Sequence, residues 1–323
     1  MKKILGIGNA LVDVMTILDD DGILGKFSLP KGSMQLVDKA MSELVKSETV
    51  IFNRSLASGG SAANTIHGLA MLGAKTGFIG SIGKDDLGDF FEKDMKNAGV
   101  NTILSRCNSA TGTSVALISP DSERTFATHL GAAVELEASD LNPKDFTGYN
   151  ILYLEGYLIF NKPFVEAACR FAKKEKMKIA LDLASYNVVE SRLADFKEII
   201  EKYVDIIFAN EEEARAYTGM APEEALDSIS KICEIVVIKA GGDGSWIKRA
   251  SEIIKIGAAK ADLKDTTGAG DLYAAGFLFG YAQNRNLDIC GQYGSLLAGK
   301  VIEILGAKMD QNRWKEIKTM IST

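Results

Sequence analysis

The chain has 323 residues, of which 46% are hydrophobic and 25% are charged, a balance typical of a folded globular protein and not of a disordered one. Its 43 acidic and 37 basic residues give a formal net charge of −6, which argues against nucleic-acid binding and favours small-molecule partners. Four separated cysteines and two histidines offer no zinc-ligand spacing, so we expect buried free thiols. Without a run of about 18 apolar residues, we expect a cytoplasmic protein with no membrane span.

The first predicted strand covers residues 3–8, Lys-Ile-Leu-Gly-Ile-Gly. Its two glycines could begin a dinucleotide-binding fingerprint, but Leu11 stands where the third glycine would be, so we reject that site. Asn9 and Asp13 follow the strand. They suit hydrogen bonds to neighbouring hydroxyl groups of a sugar, whereas the carboxylate would repel a phosphate.

Two stretches interrupt the regular pattern, at about residues 15–54 and 105–130. Apolar and polar residues alternate over residues 113–118 and 124–127, as they do in paired antiparallel strands. We therefore expect insertions at about 15–54 and 105–130 to form a small β lid on one larger domain that covers residues 1–323.

A glycine-containing turn, Ser-Gly-Gly-Ser-Ala-Ala-Asn at residues 58–64, precedes a predicted helix. Gly59 and Gly60 would let the backbone approach a ligand closely, and Asn64 could bind a polyol through its amide. Tight helix packing explains the same residues equally well, so the turn alone leaves both readings open. His67 on this helix is interpreted as a packing residue.

Beyond about residue 150, apolar strands alternate with amphipathic segments, which predicts a parallel sheet covered on both faces. Ligands of such sheets bind beyond the carboxyl ends of the strands. Asn210 follows the predicted strand at residues 204–208 and opens a helix, and Glu213 lies three residues later on the same helix face. This oxygen pair suits magnesium that carries a water shell on a triphosphate, although acidic residues in a first turn also suit the helix dipole.

The strand at residues 235–239 runs into Ala-Gly-Gly-Asp-Gly-Ser, a turn that is consistent with a hairpin. A P-loop mechanism is excluded, because the chain contains no Gly-x-x-x-x-Gly-Lys-Ser/Thr motif.

Residues 265–271, Asp-Thr-Thr-Gly-Ala-Gly-Asp, stand directly before an apolar helical run. Small residues leave backbone N–H groups uncovered at the helix N-terminus, where they and the helix dipole favour an anion. A carboxylate at this place would repel a phosphate but could take a proton from a hydroxyl that attacks it. We therefore interpret Asp271 as a general base. The alternative is an ordinary capped helix start.

Three of these motifs together resemble the ribokinase (PfkB) family of sugar and nucleoside kinases: residues 265–271, residues 59–64 and the Asn-x-x-Glu pair at 210–213. The resemblance extends from the first strand to Gly306. It implies a ribokinase-like three-layer α/β/α sandwich with a mostly parallel sheet and a β lid. It also implies ATP-dependent transfer of the γ-phosphoryl group to a hydroxyl of a sugar or ribonucleoside.

The resemblance assigns roles to individual residues. In catalysis Asp271 would be the base, and the backbone N–H groups that stabilise charge would come from Gly268, Ala269 and Gly270. The acceptor would be held by Asn9, Asp13, Gly59, Gly60, Asn64, Arg124 and Phe126. The nucleotide would contact Asn210, Lys239, Gly241, Gly242, Gly244 and Thr267. Asn210 and Glu213 would order Mg²⁺ through water, and Asp265 with Thr267 matches the place of a monovalent cation such as K⁺.

The identity of the acceptor stays open, because the motifs fit both a sugar and a ribonucleoside. Residues 31–34, 123–126 and 130–133 look more like the adenosine-kinase-like branch, in which Phe126 could stack on a purine or belong to the lid core. A non-catalytic sugar or nucleotide sensor is the alternative from another class, and Asp271 argues against it because a binder needs no base. An apolar lid face leaves a homodimer open, and neither nucleic acid nor a membrane is expected as a partner.

Overall fold

A computed structural model describes residues 1–121 and 123–322, in which fourteen strands form two sheets. The strands are β1 (Ile4–Ile7), β2 (Leu11–Ile17), β3 (Met34–Leu36), β4 (Asn53–Gly59), β5 (Thr76–Gly83), β6 (Asn101–Cys107), β7 (Gly112–Ile118), β8 (Arg124–His129), β9 (Ile151–Glu155), β10 (Lys178–Asp182), β11 (Ile206–Asn210), β12 (Ile235–Lys239), β13 (Ser245–Arg249) and β14 (Glu252–Ile256). The α-helices are α1 (Gly22–Lys26), α2 (Lys39–Glu48), α3 (Ser61–Met71), α4 (Asp86–Asn97), α5 (Lys162–Lys174), α6 (Tyr186–Ser191), α7 (Leu193–Tyr203), α8 (Glu211–Thr218), α9 (Pro222–Ile229), α10 (Ala269–Ala282), α11 (Leu287–Val301) and α12 (Gln311–Ser322).

The larger sheet has nine strands in the order β14-β13-β12-β11-β10-β9-β1-β5-β6. Counted from β6, the first seven strands, as far as β12, pair in parallel. At the other edge β13 is antiparallel to both of its neighbours, β12 and β14. Helices cover both faces. Along β9, Tyr153 packs into the core beneath α3 and α10, whereas Leu152 and Leu154 pack into the opposite core beneath α5 and α7. This alternation of fully buried side chains requires cover on both sides, and it confirms the predicted three-layer architecture.

The smaller sheet has five strands in the order β3-β8-β7-β2-β4. One of its faces packs on α1 and α2 through a separate small core that includes Val14, Leu24 and Val45. The sheet draws on both segments that we predicted to form a lid, and it also includes the start of β2 and the end of β4, which lie outside those boundaries. Its action as a lid stays a prediction.

The described residues bear on two expectations from the sequence, one about the cysteines and one about a membrane span. The four cysteines are free thiols, as expected, but Cys107 is partly exposed while the other three are buried. Within the described ranges, no helix combines the length and the apolar character that a bilayer span would require.

Candidate active site

The predicted site residues gather where the parallel strands end, as expected for a sheet of this kind. Asn9 follows β1, while Glu155, Asp182, Asn210 and Lys239 are the last residues of β9, β10, β11 and β12. The N-terminal ends of α3 and α10 meet at the same place, where the Ser61 and Asn64 side chains of α3 bind Asp271 of α10.

The turn before α10 has the geometry that its sequence predicts. Gly268 has a φ of +76°, and a Cβ atom there would lie 2.6 Å from the Cβ of Ala307, so both conformation and space favour glycine. One amide differs from expectation. The N–H of Ala269 donates to the carbonyl of Thr266 at 3.1 Å, which corrects our prediction that it is a free donor for the transferred group. That the N–H groups of Gly268 and Gly270 bind an anion stays a prediction.

Asp271 is held by two donors from α3. Its Oδ1 accepts a hydrogen bond from Ser61 Oγ at 2.7 Å, and its Oδ2 accepts one from Asn64 Nδ2 at 3.0 Å. Burial raises the pKa of Asp271 to about 6, while the hydrogen bonds from Asn64 and Ser61 act in the opposite direction. A carboxylate with a pKa near neutrality is a suitable general base. We did not single out Ser61, although it stands in the same turn.

Asp13 on β2 points into the same cleft. Burial raises the pKa of Asp13 to about 6, nearby Lys308 lowers it, and the negative charge of Asp271 raises it. A Cβ atom on Gly59 would overlap the carboxyl group of Asp13. Gly60 has a φ of +99°, and a side chain there would overlap the carbonyl oxygen of Asn9. Close packing therefore explains why glycine occupies both positions, an alternative that the sequence left open.

Asn9 is directed at a carboxylate that sequence reasoning missed. Its backbone N–H and its Nδ2 both donate to Glu155 Oε1, at 2.9 and 2.7 Å. Because Nδ2 carries a second hydrogen, the hydrogen bond from Asn9 to the acceptor stays a prediction. Glu155 Oε2 accepts from the N–H of Ala62 at 2.8 Å, in the first turn of α3. Burial raises the pKa of Glu155 to about 7 against the pull of these hydrogen bonds. The sequence signal that could have identified Glu155 is a carboxylate at the end of an apolar strand.

Arg124 contacts the loop before α10, and its Nε and Nη2 have no hydrogen-bond partner among the described residues, so its predicted contact with the acceptor stays a prediction. Arg124 forms a buried ion pair with Asp265, in which the side chains are 8% and 3% exposed, and its Nη1 donates to Thr267 Oγ1 at 3.0 Å. Asp265 also accepts from the N–H of Thr267 at 3.0 Å and from the N–H of Gly306 at 2.6 Å. Arg124 therefore ties β8 of the smaller sheet to the anion-binding loop.

Phe126 lies on the cleft-facing side of the smaller sheet. It pairs with Met34 across the β3–β8 ladder and with Ala116 across the β7–β8 ladder, so these three side chains share a face. In the next row Leu36 pairs with Thr128. Met34 is 50% exposed and Leu36 is 65% exposed, so this face presents apolar surface to the cleft.

The nucleotide side of the site contains a buried lysine. Lys239 Nζ donates to Asp182 Oδ2 at 2.8 Å, and a Cβ atom on Gly270 would lie only 3.1 Å from that nitrogen. Burial lowers the pKa of Lys239, but the charges of Asp182 and Glu213 outweigh it and the net pKa is raised, so the side chain is cationic. A fixed cation beside the anion-binding loop suits a phosphate.

Asn210 and Glu213 form a reciprocal cap at the start of α8. Asn210 Oδ1 accepts from the Glu213 N–H at 2.8 Å, and both Glu213 carboxylate oxygens accept from Asn210, at 2.8 Å from the backbone and 2.9 Å from Nδ2. Burial raises the pKa of Glu213 to about 7, and Lys239 lowers it. The capping interpretation, which we left open, therefore accounts for their positions.

The glycine-rich loop joins β12 to β13, which are antiparallel, so it is a hairpin connection. Gly244 has a φ of +92°, and a side chain there would overlap the carbonyl oxygen of Ile256. Gly241 and Gly242 face open space, where nothing lies within 4 Å of a Cβ position. The loop leaves room for a ligand above it.

Residues 36–313 match the family model described as pfkB family carbohydrate kinase. The chain belongs to the PfkB family. Similar curated proteins include the 5-dehydro-2-deoxygluconokinase of Bacillus subtilis (strain 168), 29% identical over 85% of this chain and 89% of the relative. Another is adenosine kinase 2 of Arabidopsis thaliana, 25% identical over 94% of each chain. The resemblance that we inferred from the motifs is confirmed.

Solved structures agree with this assignment. The adenosine kinase from Sinorhizobium meliloti superposes with a TM-score of 0.89 at 33% identity, covering 99% of each chain. A probable sugar kinase protein from Rhizobium etli CFN 42 has the same TM-score and identity, covering 99% of this chain and 98% of the other. The predicted ribokinase-like fold and enzyme class are therefore confirmed. Members of the family are ATP-dependent phosphotransferases that act on sugar or nucleoside hydroxyls, and this chain is such a kinase.

Proposed function

We propose that the acceptor is a ribonucleoside, with adenosine as the leading candidate, and that its primary hydroxyl receives the γ-phosphoryl group of ATP. The apolar shelf on the smaller sheet, formed by Met34, Leu36 and Phe126, carries this proposal. A free monosaccharide has little apolar surface to place against such a shelf, whereas a nucleobase stacks on aromatic and aliphatic side chains. The similarity to a rhizobial adenosine kinase supports the same choice.

The position of the shelf matches the length of a nucleoside. Asp13 pairs with Ser114, Ser114 Oγ is 3.0 Å from Thr128 Oγ1, and Thr128 pairs with Leu36, so this row of side chains crosses four strands on one face. Neighbouring strands lie about 4.8 Å apart, which places β8 roughly 10 Å from β2. A ribose bound at Asp13 would therefore leave its base over Thr128 and Leu36, in the row next to that of Phe126.

In this account Asp271 removes the proton from the attacking hydroxyl, while Asp13 and Asn64 fix the sugar. The N–H groups of Gly268 and Gly270 stabilise the charge on the transferred oxygens. Lys239 adds positive charge beside them. We further propose that the smaller sheet closes over the acceptor and excludes water, which would otherwise compete as the acceptor.

The two predicted metal positions differ in how well the residues fit. At the first, each carboxylate oxygen of Glu213 accepts one hydrogen bond from Asn210 and keeps a free lone pair, so the pair fits a hydrated magnesium ion through water. Magnesium bound with ATP would supply charge neutralisation of the phosphates. At the second, the Arg124 guanidinium already contacts Asp265, so the residues do not fit an added monovalent cation and we derive no step through one.

The identity of the acceptor is tested by measuring ADP release from magnesium-ATP in the presence of adenosine, another nucleoside, ribose or fructose. We expect the highest kcat/KM with adenosine, with AMP as the second product and no turnover when EDTA removes the divalent cation.

Phe126→Ala should lower kcat/KM for adenosine by roughly 10-fold or more, because about 1.5–3 kcal/mol of apolar burial is lost. Ile253→Ala on the distant strand β14 is the matched control. Preference for a free sugar, unaffected by Phe126→Ala, would contradict the proposal.

A further inference from the structure

Two buried polar atoms beside Asp271 have no hydrogen-bond partner among the described residues, and they are chemically complementary. Asn64 donates to Asp271 through Nδ2, which leaves its Oδ1 as a buried acceptor without a donor. Lys308 Nζ is a buried donor without an acceptor. Because almost all buried polar atoms in native proteins are hydrogen-bonded, two such atoms in one cleft indicate that a ligand completes them.

The backbone holds Lys308 at the border between the anion-binding loop and the smaller sheet. Gly306 has a φ of +78°, its N–H donates to Asp265 at 2.6 Å, and a Cβ atom on it would lie 2.6 Å from Met15 Sδ on β2. Ala307 packs against Gly268. The residue that follows is therefore fixed relative to both halves of the cleft.

The charges around Lys308 place its ammonium group on the acceptor side. Burial lowers the pKa of Lys308 to about 8, while the carboxylates of Asp94, Asp13 and Asp271 raise it. It is therefore still mainly cationic at neutral pH. Asp94 is already bonded to Ser58, which donates from Oγ at 2.6 Å and from its N–H at 3.1 Å.

A hydroxyl group satisfies this arrangement, because one oxygen can accept from an ammonium group while its hydrogen is donated to a carboxylate or an amide oxygen. An anionic acceptor suits it less well, since Asp13 and Asp271 would repel it. The cleft thus supplies donors and acceptors in the combination that a sugar hydroxyl needs.

We infer that the ammonium group of Lys308 donates a hydrogen bond to the oxygen of a ribose hydroxyl of the acceptor. The same hydroxyl donates its hydrogen to Asp13 or to Asn64 Oδ1. Lys308 is thereby a specificity-determining residue that rejects deoxy analogues. A site with buried polar groups discriminates strongly against a substrate that leaves them unpaired. This inference rests on the proposed nucleoside acceptor.

The test compares kcat/KM for adenosine, 2′-deoxyadenosine and 3′-deoxyadenosine in the wild type and in Lys308→Met. We expect the wild type to lose about 100-fold or more on one of the two deoxy analogues. In Lys308→Met that ratio should shrink by at least about 10-fold, since no ammonium group is left unpaired. Lys315→Met, on the exposed side of α12, should keep the wild-type ratio. Lys308→Gln, which retains a donor, provides a second variant with an intermediate ratio if the methionine variant does not fold.

An equal loss of kcat/KM for all three nucleosides, with the deoxy ratio unchanged, would overturn the inference and leave Lys308 a structural or general electrostatic role. Failure of the proposed function has a different signature, because the wild type would then phosphorylate no nucleoside. In that case the same ratio is measured with ribose and 2-deoxyribose. A ratio that Lys308→Met leaves unchanged there also overturns the role of Lys308.

Discussion

Replacing Asp271 with asparagine is expected to lower kcat by at least about 100-fold, the usual range for loss of a general base. Asparagine is nearly isosteric and keeps one oxygen, which can accept the hydrogen bond from Ser61 or the one from Asn64, but it cannot take a proton at physiological pH. Nucleotide binding should change little, because in the proposed function the phosphates contact the backbone N–H groups of Gly268 and Gly270 and not Asp271. Steady-state ADP release and equilibrium binding of ADP measure the two effects separately.

Asp288→Asn is the matched control, because Asp288 also lies in the first turn of a helix, α11, outside the site. It should keep near-wild-type turnover. Full activity of Asp271→Asn would remove the base assignment, and equal losses in both variants would indicate a general effect of carboxylates at helix starts.

Arg124→Met is expected to lower the free energy of unfolding by about 3–5 kcal/mol, the range for breaking a buried ion pair on one side. The Asp265 carboxylate would keep only the backbone N–H groups of Thr267 and Gly306 as partners in a buried place. Urea unfolding measures the loss. Because Arg124 also joins β8 to the anion-binding loop, we expect kcat/KM to fall in the same variant. Arg170→Met, at an exposed arginine of α5, is the control.

A second substitution separates charge from packing. In the double variant Arg124→Met with Asp265→Asn, the unpaired carboxylate is gone, and we expect at least half of the lost stability to return. Activity should not return with it, since the tie between the sheet and the loop is still broken. A single variant as stable as the wild type would show that the ion pair contributes little to folding.

Much of the fold could be predicted because its signals are local. Continuous apolar runs such as Ile151–Glu155 indicate strands covered on both faces, and glycine before a helix indicates an anion-binding turn. The meeting of Asn64 with Asp271, 207 residues apart, follows from the rule that parallel strands end at one edge. These inferences need only the type and order of elements.

Contacts that depend on the register between distant elements could not be predicted. The ion pair between Arg124 and Asp265 is such a contact, because the pairing of β8 in the smaller sheet brings Arg124 to Asp265. Nothing in the sequence near Lys308 shows that its side chain enters the cleft, because its position is fixed by the packing of Gly306 and Ala307. Glu155 was the exception, since its place at the end of an apolar strand was visible.

The pH dependence of kcat/KM in the wild type and in Asp271→Asn tests the central claim most directly. The pKa values of Asp13 and Asp271 are both raised by burial to about 6, and both side chains act as carboxylates, so activity should fall as the pH falls through about 6. Two carboxylates that must both be ionised contribute a slope that approaches 2 to the plot of log kcat/KM against pH. In Asp271→Asn we expect the slope to fall by about 1, on top of the reduced rate, since one of the two carboxylates has been removed. The same slope in both proteins would contradict the assignment of Asp271 as the base.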